Sequence, residues 1–499
     1  MDVNIGRMFA NRAFLSPDLD ACAGEGYAYN YQEMDQRLNQ FAAHLKASGI
    51  QTGDRIAILV KNNEQVLTAL FGAAKIGVIS VVLNHRLTAP ELSYILTDSH
   101  TRLLVHGFEF DEIAQALTGE TPVELFLRVG GDADEFENAL AAQSADAPEI
   151  QGGGEDPAVL MYTSGTTGNP KGAILTHNNC FWAAIGLIHT LDWSYKDRYL
   201  SVAPLFHIGG LAPIFANIHI GASMVFMPDF DPTKIWQMVE DYRINVAMTV
   251  PVMLQYMNMF LDKEKTDISS LKFFICGGAP VPKMLIDLYD GHGIEVNQVY
   301  GATEYAGAIT FWLHDMGMDM AHSMGKPVFH GSIKVINPTT GEELPAGETG
   351  ELCLMGPQVF KGYWENPAAT EEVLVDNYYR SGDLGKVDHR GFVFVLDRLK
   401  DMIISGGENI YPAEIEAVLL SHPAIVEAAV VGKADEQWGE IPAAYLVKAQ
   451  DAQVTEDEIT ALCREKLAGF KRVKEIHFID QVPKNTLGKV LKRSLREMK

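Results

Sequence analysis

YTSGTTGNPKGA, residues 162–173, gathers four hydroxyl side chains (Thr163, Ser164, Thr166, Thr167), three glycines (Gly165, Gly168, Gly172) and Lys171 into one short run. Glycines let a loop bring backbone N–H groups against a polyphosphate. Hydroxyls add donors, and a lysine adds a mobile point charge. The apolar residues 158–162 before the run read as a strand, and so do residues 173–176 after it. A strand–loop–strand setting differs from the strand–loop–helix of a Walker loop, and the GxxxxGK[ST] spacing is absent. The run therefore reads as a phosphate loop of another kind. A plain Ser/Thr/Gly turn explains four such residues, but not twelve in this order.

The flanking chain alternates strand and helix signals. Residues 55–60, 78–83 and 102–106 are short apolar or β-branched runs, and residues 62–77 and 90–98 between them have helical spacing. This βαβαβ order predicts a largely parallel sheet covered by helices, and the alternation recurs over residues 199–299. The Asp-, Ala- and Gly-rich residues 130–155 read as a surface connection. From Gly331 onward the texture changes to short strands with turns, predicting a β-rich subdomain that closes at Val395. After Asp397 the pattern is mixed, with helices at 412–420 and 455–467 and strands at 426–431 and 443–447. The expected fold is α/β, with a large N-terminal domain (1–397) of layered βα subdomains plus a β-rich subdomain. A small mobile α+β C-terminal domain (398–499) follows.

Composition narrows the function. With 40 Lys and Arg against 65 Asp and Glu, the net charge is −25. Such a surface repels phosphodiester backbones and argues against nucleic-acid binding. The five cysteines are scattered, with no CxxC pair, which fits free thiols in a reducing cytoplasm. No apolar run reaches the length of a membrane span, and no signal peptide is visible. Peripheral contact with a membrane and a homodimeric assembly stay open.

Further segments accompany the loop in a fixed order: APLFHIGG (203–210), CGGAPVP (276–282), QVYGATEYAG (298–307), YRSGDLG (379–385), DRLKDMIISGGENIYPAEIE (397–416) and PKNTLGKVLKR (483–493). With the loop, these motifs resemble the adenylate-forming superfamily across essentially the whole chain. Within it, the chain looks most like bacterial medium- and long-chain fatty-acyl-CoA synthetases, the AMP-forming acyl-CoA synthetases. Aryl-acid CoA ligases of the benzoate and hydroxycinnamate kinds are close relatives.

The resemblance implies a reaction in two halves. A small-molecule carboxylic acid attacks the α-phosphorus of ATP, giving acyl-adenylate and pyrophosphate. The thiol of CoA then attacks the mixed anhydride, giving thioester and AMP. The first half brings an anion against a polyanion and needs charge neutralisation. By resemblance, Lys489, Glu304, Thr163 and Lys171 are the catalytic set, with Glu304 and Thr163 holding Mg²⁺. The loop residues Ser164, Gly165, Thr166, Thr167 and Gly168 cradle the phosphates. Gly278, Ala279 and Pro280 lack bulk, which suits close approach to a flat ring, and Tyr300 offers an aromatic face. By resemblance these form the adenine slot, continued by Gly301, Ala302 and Thr303. Asp383 and Arg398 take the ribose.

The same resemblance assigns the acyl pocket to His207, Tyr305, Ala306, Gly307 and Met324. A lone histidine among apolar residues is as readily a satisfied core residue as a gate. A general-base role does not suit it, because the acid is already ionised at neutral pH. Amino-acid-activating relatives place an aspartate after the phenylalanine of this motif, whereas His207 follows Phe206 here, which argues against an α-amino acid. Lys400 falls where relatives hinge. Ser405, Gly406 and Gly407 would line the pantetheine tunnel, and Trp438 would meet the CoA nucleotide. An alternative acceptor is an acyl-carrier protein, and a non-catalytic binding homologue is the reading from another class.

Overall fold

The computed structural model describes residues 3–163, 169–262, 264–405, 408–450, 452–484 and 490–498. The chain divides into two compact units, residues 1–332 with 354–379, and residues 333–353 with 380–499.

The first unit holds two large sheets. In the first, the strands run Gly362–Tyr363, Lys171–Thr176, Pro157–Thr163, Ile79–Val82, Arg55–Leu59, Thr101–Gly107, Leu125–Val129. Its middle is parallel, as the βαβ alternation predicts: Arg55 lies beside Ile79 on one neighbour and Thr101 on the other. Such strands are apolar throughout because both faces are covered. Ala57, Leu59, Val81, Leu104 and Leu160 are buried together with Leu92 and Leu96 of the helix Ala89–Asp98. At one edge the pattern turns antiparallel. Pro157–Thr163 and Lys171–Thr176 form a hairpin, with Thr163 opposite Lys171.

The second sheet runs Lys326–Pro327, Gly307–Trp312, Glu295–Ala302, Phe273–Gly277, Val246–Thr249, Arg198–Ser201, Ser223–Phe226, Asp20–Gly24, Tyr27–Asn30. Phe273–Gly277 is parallel to both neighbours, so its C-terminal end points the same way as theirs. Ligands of open α/β sheets bind at such ends. Residues 130–155, read from sequence as a surface connection, contain the helix Glu135–Ala141, capped by Asp134. Phe136 and Leu140 are buried. Two apolar side chains four apart anchor this short helix, and its polar remainder hid them.

In the second unit, the strand Val393–Arg398 runs past Val395 and pairs antiparallel with Tyr378–Val387. The helix Pro412–Leu420 spans the expected residues. A sheet of Glu408–Ile410, Ile403–Ser405, Gly439–Lys448 and Ile425–Asp435, with Glu475–Phe478 alongside, packs its core against that helix and Glu456–Lys466. Among the described residues, no helix is long and apolar enough to cross a membrane.

Candidate active site

The strands on either side of the run, Pro157–Thr163 and Lys171–Thr176, pair antiparallel in the first unit, as the strand–loop–strand reading requires. Residues 164–168 lie outside the described residues; Thr163 and Lys171 mark the strand ends on either side. Next to Lys171–Thr176 runs the two-residue strand Gly362–Tyr363, with Tyr363 opposite Ala173. Its backbone is fixed further by Trp364 N–H donating to the Gly172 carbonyl (2.7 Å) and Tyr363 N–H donating to Thr370 Oγ1 (2.9 Å).

Glu304 reaches the same place from the other sheet. Glu295–Ala302 and Gly307–Trp312 form a hairpin whose turn is Thr303–Tyr305. The turn is tight: Ala306 adopts φ 51°, and a side chain on Gly301 would meet the Gly307 carbonyl oxygen at 2.5 Å. Phe360 N–H donates to the Glu304 carbonyl (2.9 Å), and the Tyr363 hydroxyl donates to Glu304 Oε1 (2.8 Å). Lys171 Nζ lies 5.2 Å from the centre of the Tyr363 ring. Tyr363, which the sequence reading did not single out, thus touches both a candidate cation and a candidate carboxylate. A cavity of about 300 Å³ opens beside Lys171, lined by Tyr94, Asp98, Asn169, Trp364 and Asn366 among others. A larger recess of about 400 Å³ near Ile50, Thr52 and Gln151 carries none of the motif residues, and its size gives it no chemistry.

The adenine-slot candidates follow the strand Phe273–Gly277. Gly278 has φ +81°, a conformation that favours glycine, and it turns the chain toward Ala279 and Pro280. Gln298, buried on the next strand, holds this turn. Its Oε1 accepts from Val281 N–H (3.1 Å), while its Nε2 donates to the carbonyls of Ala321 (3.2 Å) and Ser323 (2.8 Å). The glycine turn and the segment leading to Met324 are thereby tied to one strand. Tyr300 and Gly301 continue that strand.

His207 caps the start of the helix Ile208–Ile220. Its ring lies 4.5 Å from that of Phe206, which meets His85 edge-on at 4.9 Å. Burial, with help from Arg86 and His85, pushes the His207 pKa down to about 4, so the imidazole is neutral at pH 7. Its buried Nε2 has no hydrogen-bond partner among the described residues. The turn before it is held by Asn62, which accepts from Leu205 N–H (3.0 Å) and donates to the Ala203 carbonyl (2.9 Å). Gly307 backs onto this helix, where a side chain would meet Ala212 Cβ at 3.0 Å. Tyr305 is fully buried and its hydroxyl donates to the Met355 carbonyl (2.9 Å).

In the second unit, Asp383 and Arg398 lie opposite each other on their hairpin, with Arg398 Nε 2.7 Å from Asp383 Oδ1. Arg398 also donates to the Ser381 carbonyl (3.1 Å). Lys400 is exposed on the turn Leu399–Asp401. Ser405 is buried and pairs with Glu408 and Gly439, while Trp438 is half exposed at the neighbouring turn. Gly406, Gly407 and Lys489 lie outside the described residues.

Layered α/β sheets carry an antiparallel strand pair ending at Thr163 and Lys171 and a glycine turn at the end of a parallel strand. Residues 9–364 match the family model for AMP-binding enzymes, and residues 414–489 match the AMP-binding enzyme C-terminal domain. The chain belongs to the AMP-binding enzyme family and is an AMP-forming acid–thiol ligase, acting on a carboxylic acid, ATP and CoA. It is 37% identical over 496 residues to the long-chain-fatty-acid–CoA ligase FadD13 of Mycobacterium tuberculosis, covering 99% of this chain and 98% of that one. It is 38% identical over 499 residues to a feruloyl-CoA synthase of an Amycolatopsis species, with the same coverage. Among solved structures, ATP-bound MatB from Rhodopseudomonas palustris superposes with a TM-score of 0.92 at 32% identity, over 100% of this chain and 99% of that one.

Proposed function

We propose that this ligase activates a medium- or long-chain fatty acid, forming its adenylate and then its CoA thioester. The observation that carries this reading is the apolar character of the helix after His207. Ile208, Leu211, Ala212, Ile214 and Phe215 are buried, and the adjoining Ala306, Gly307 and Ile309 add no charge. An acyl chain laid against such residues would gain burial but no polar partner, at up to ~0.8 kcal/mol per methylene. Thr163, Lys171 and the loop between them take the phosphates, Gly278–Pro280 and Tyr300–Thr303 the base, and Asp383 and Arg398 the ribose. Mg²⁺ arrives on the nucleotide. Among the described residues, no group of three or more His, Cys, Asp or Glu could hold a metal. One carboxylate, Glu304, with the Thr163 hydroxyl fits an ion that keeps its phosphates and waters. Lys489 supplies charge to the adenylation half alone, and a turn about Lys400 then brings residues 405–407 to line the path of CoA. The five cysteines are buried and free, which supports a reducing cytoplasm.

A second reading is an aryl-acid ligase. The unpartnered, neutral His207 nitrogen favours it, because a buried acceptor or donor recognises a polar substituent that a fatty chain lacks. One experiment separates the readings: pyrophosphate release with acetate, octanoate, palmitate, benzoate and ferulate, each with and without CoA. The expected optimum lies at or beyond about eight carbons, with acetate very poor, because each buried methylene adds to binding. If benzoate or ferulate exceeds every fatty acid, the aryl reading replaces this one. If CoA fails where a phosphopantetheinylated carrier protein succeeds, the acceptor is the carrier.

A further inference from the structure

We infer that Tyr363 is a positioning residue for adenylation, setting the carboxylate of Glu304 and the ammonium of Lys171 for the magnesium–nucleotide. The inference rests on the ligase reading above. Tyr363 lies on a strand of two residues, too short to be stable alone, yet it is fixed from three directions. Its backbone pairs opposite Ala173, on the strand that begins at Lys171. Its N–H donates to Thr370 Oγ1, and its ring packs edge-on against Phe360 at 4.9 Å. The residue is 9% exposed. A phenol held this firmly offers its two polar features in fixed directions.

The first is the hydroxyl, 2.8 Å from Glu304 Oε1. A phenol O–H donated to one carboxylate oxygen fixes the rotation of the carboxylate plane. The other oxygen would stay available to a cation. The second is the ring face, 5.2 Å from Lys171 Nζ, within the range of a cation–π contact. Lysine is a flexible point charge, and an aromatic face narrows the places it can wait. One side chain therefore couples the two sheets at the residues that bear opposite charges. Glu304 comes from the hairpin of the second sheet, and Lys171 from the edge hairpin of the first.

Two substitutions separate the features. Tyr363→Phe removes the hydrogen bond to Glu304 and keeps the ring under Lys171. Tyr363→Leu removes both. Calorimetric titration with ATP, with and without Mg²⁺, reads binding without any turnover. Tyr363→Phe should weaken ATP binding in Mg²⁺ by about tenfold while leaving metal-free ATP binding within about twofold, the loss expected for one charge-assisted hydrogen bond. Tyr363→Leu should weaken both. Pyrophosphate release without CoA should fall with the Mg²⁺-dependent binding. Thioester formation from supplied acyl-adenylate and the melting temperature should stay near wild type for Tyr363→Phe. On a Glu304→Ala background, Tyr363→Phe should add nothing further. The inference is overturned by unchanged Mg²⁺-dependent binding, by equal loss in the two half-reactions, or by the same factor on the Glu304→Ala background. A wild-type enzyme that releases no pyrophosphate with any acid would instead remove the ligase reading. The binding comparison would still decide the role of Tyr363.

Discussion

His177 is buried and His85 and His207 are half-buried, and desolvation pushes each pKa down to about 4. The ordinary value in an unfolded chain is near 6.5. An unfolded chain therefore takes up protons that the folded chain refuses. The stability these residues contribute is complete above about pH 6.5 and is lost as pH falls through 4. The slope approaches about 1.4 kcal/mol per pH unit for each histidine that must protonate on unfolding. His177 shows how the neutral form is used, since its Nδ1 accepts from Ile5 N–H at 3.2 Å. We expect the melting temperature to drop between pH 6.5 and 5. His177→Asn, which keeps an acceptor and removes the titration, should flatten that drop. An unchanged slope in the variant would show that His177 titrates alike in both states. The sequence could place His207 beside an apolar helix. It could not show the imidazole as neutral, because that depends first on desolvation by the surrounding fold and then on Arg86 and His85, more than a hundred positions away.

Among the elements, the edge hairpin was legible because its chemistry is local. Glycines, hydroxyls and lysine fall within one short run of sequence, and the apolar runs on either side fix the strands. The Thr303–Tyr305 hairpin turn was legible as a motif but not as a shape, since Ala306 takes a left-handed conformation that alanine seldom signals. Gln298, Asn62 and Tyr363 escaped because each matters through partners remote in sequence. For Tyr363 the available signal was an aromatic residue between Gly362 and Trp364 just before a proline-started helix, and that alone says nothing of Glu304. Gln298 gives the clearest test at this scale. Its amide satisfies one buried donor and two carbonyls on segments that flank the proposed base and acyl sites. Gln298→Leu keeps the volume and leaves Val281 N–H unpaired. A buried donor without a partner costs about 1–3 kcal/mol. We expect a lower melting temperature together with a raised KM for ATP. A stability loss with KM unchanged would mean that the glycine turn keeps its place without the amide.

The whole molecule is read from motifs that run through both units, and the reaction they imply has two halves with different needs. On the proposal above, adenylation draws on the positive charge of Lys489, and the thioester step requires access for CoA. The proposed hinge, Lys400, lies within the second unit, between two residues whose contact must yield if the chain turns there. Asp397 Oδ2 accepts from Ala413 N–H at 2.9 Å, at the start of the helix Pro412–Leu420. On the far side of Lys400, Asp401 is held by Arg496 at 2.7 Å, so the turn Leu399–Asp401 is anchored to the final helix and moves with it. Lys400→Pro fixes φ near −65° and removes a donor, which stiffens the backbone at the pivot. Pyrophosphate release without CoA should stay within about twofold of wild type, because one resting conformation suffices for it. Overall turnover with CoA should fall at least about tenfold, since a second conformation is then needed. Lys489→Ala should give the opposite pattern, abolishing adenylate formation and sparing thioester formation from supplied acyl-adenylate. Normal turnover in Lys400→Pro would remove the hinge from the mechanism. Equal loss of both half-reactions in Lys489→Ala would mean that its charge serves the fold or both steps, rather than the meeting of carboxylate and α-phosphate.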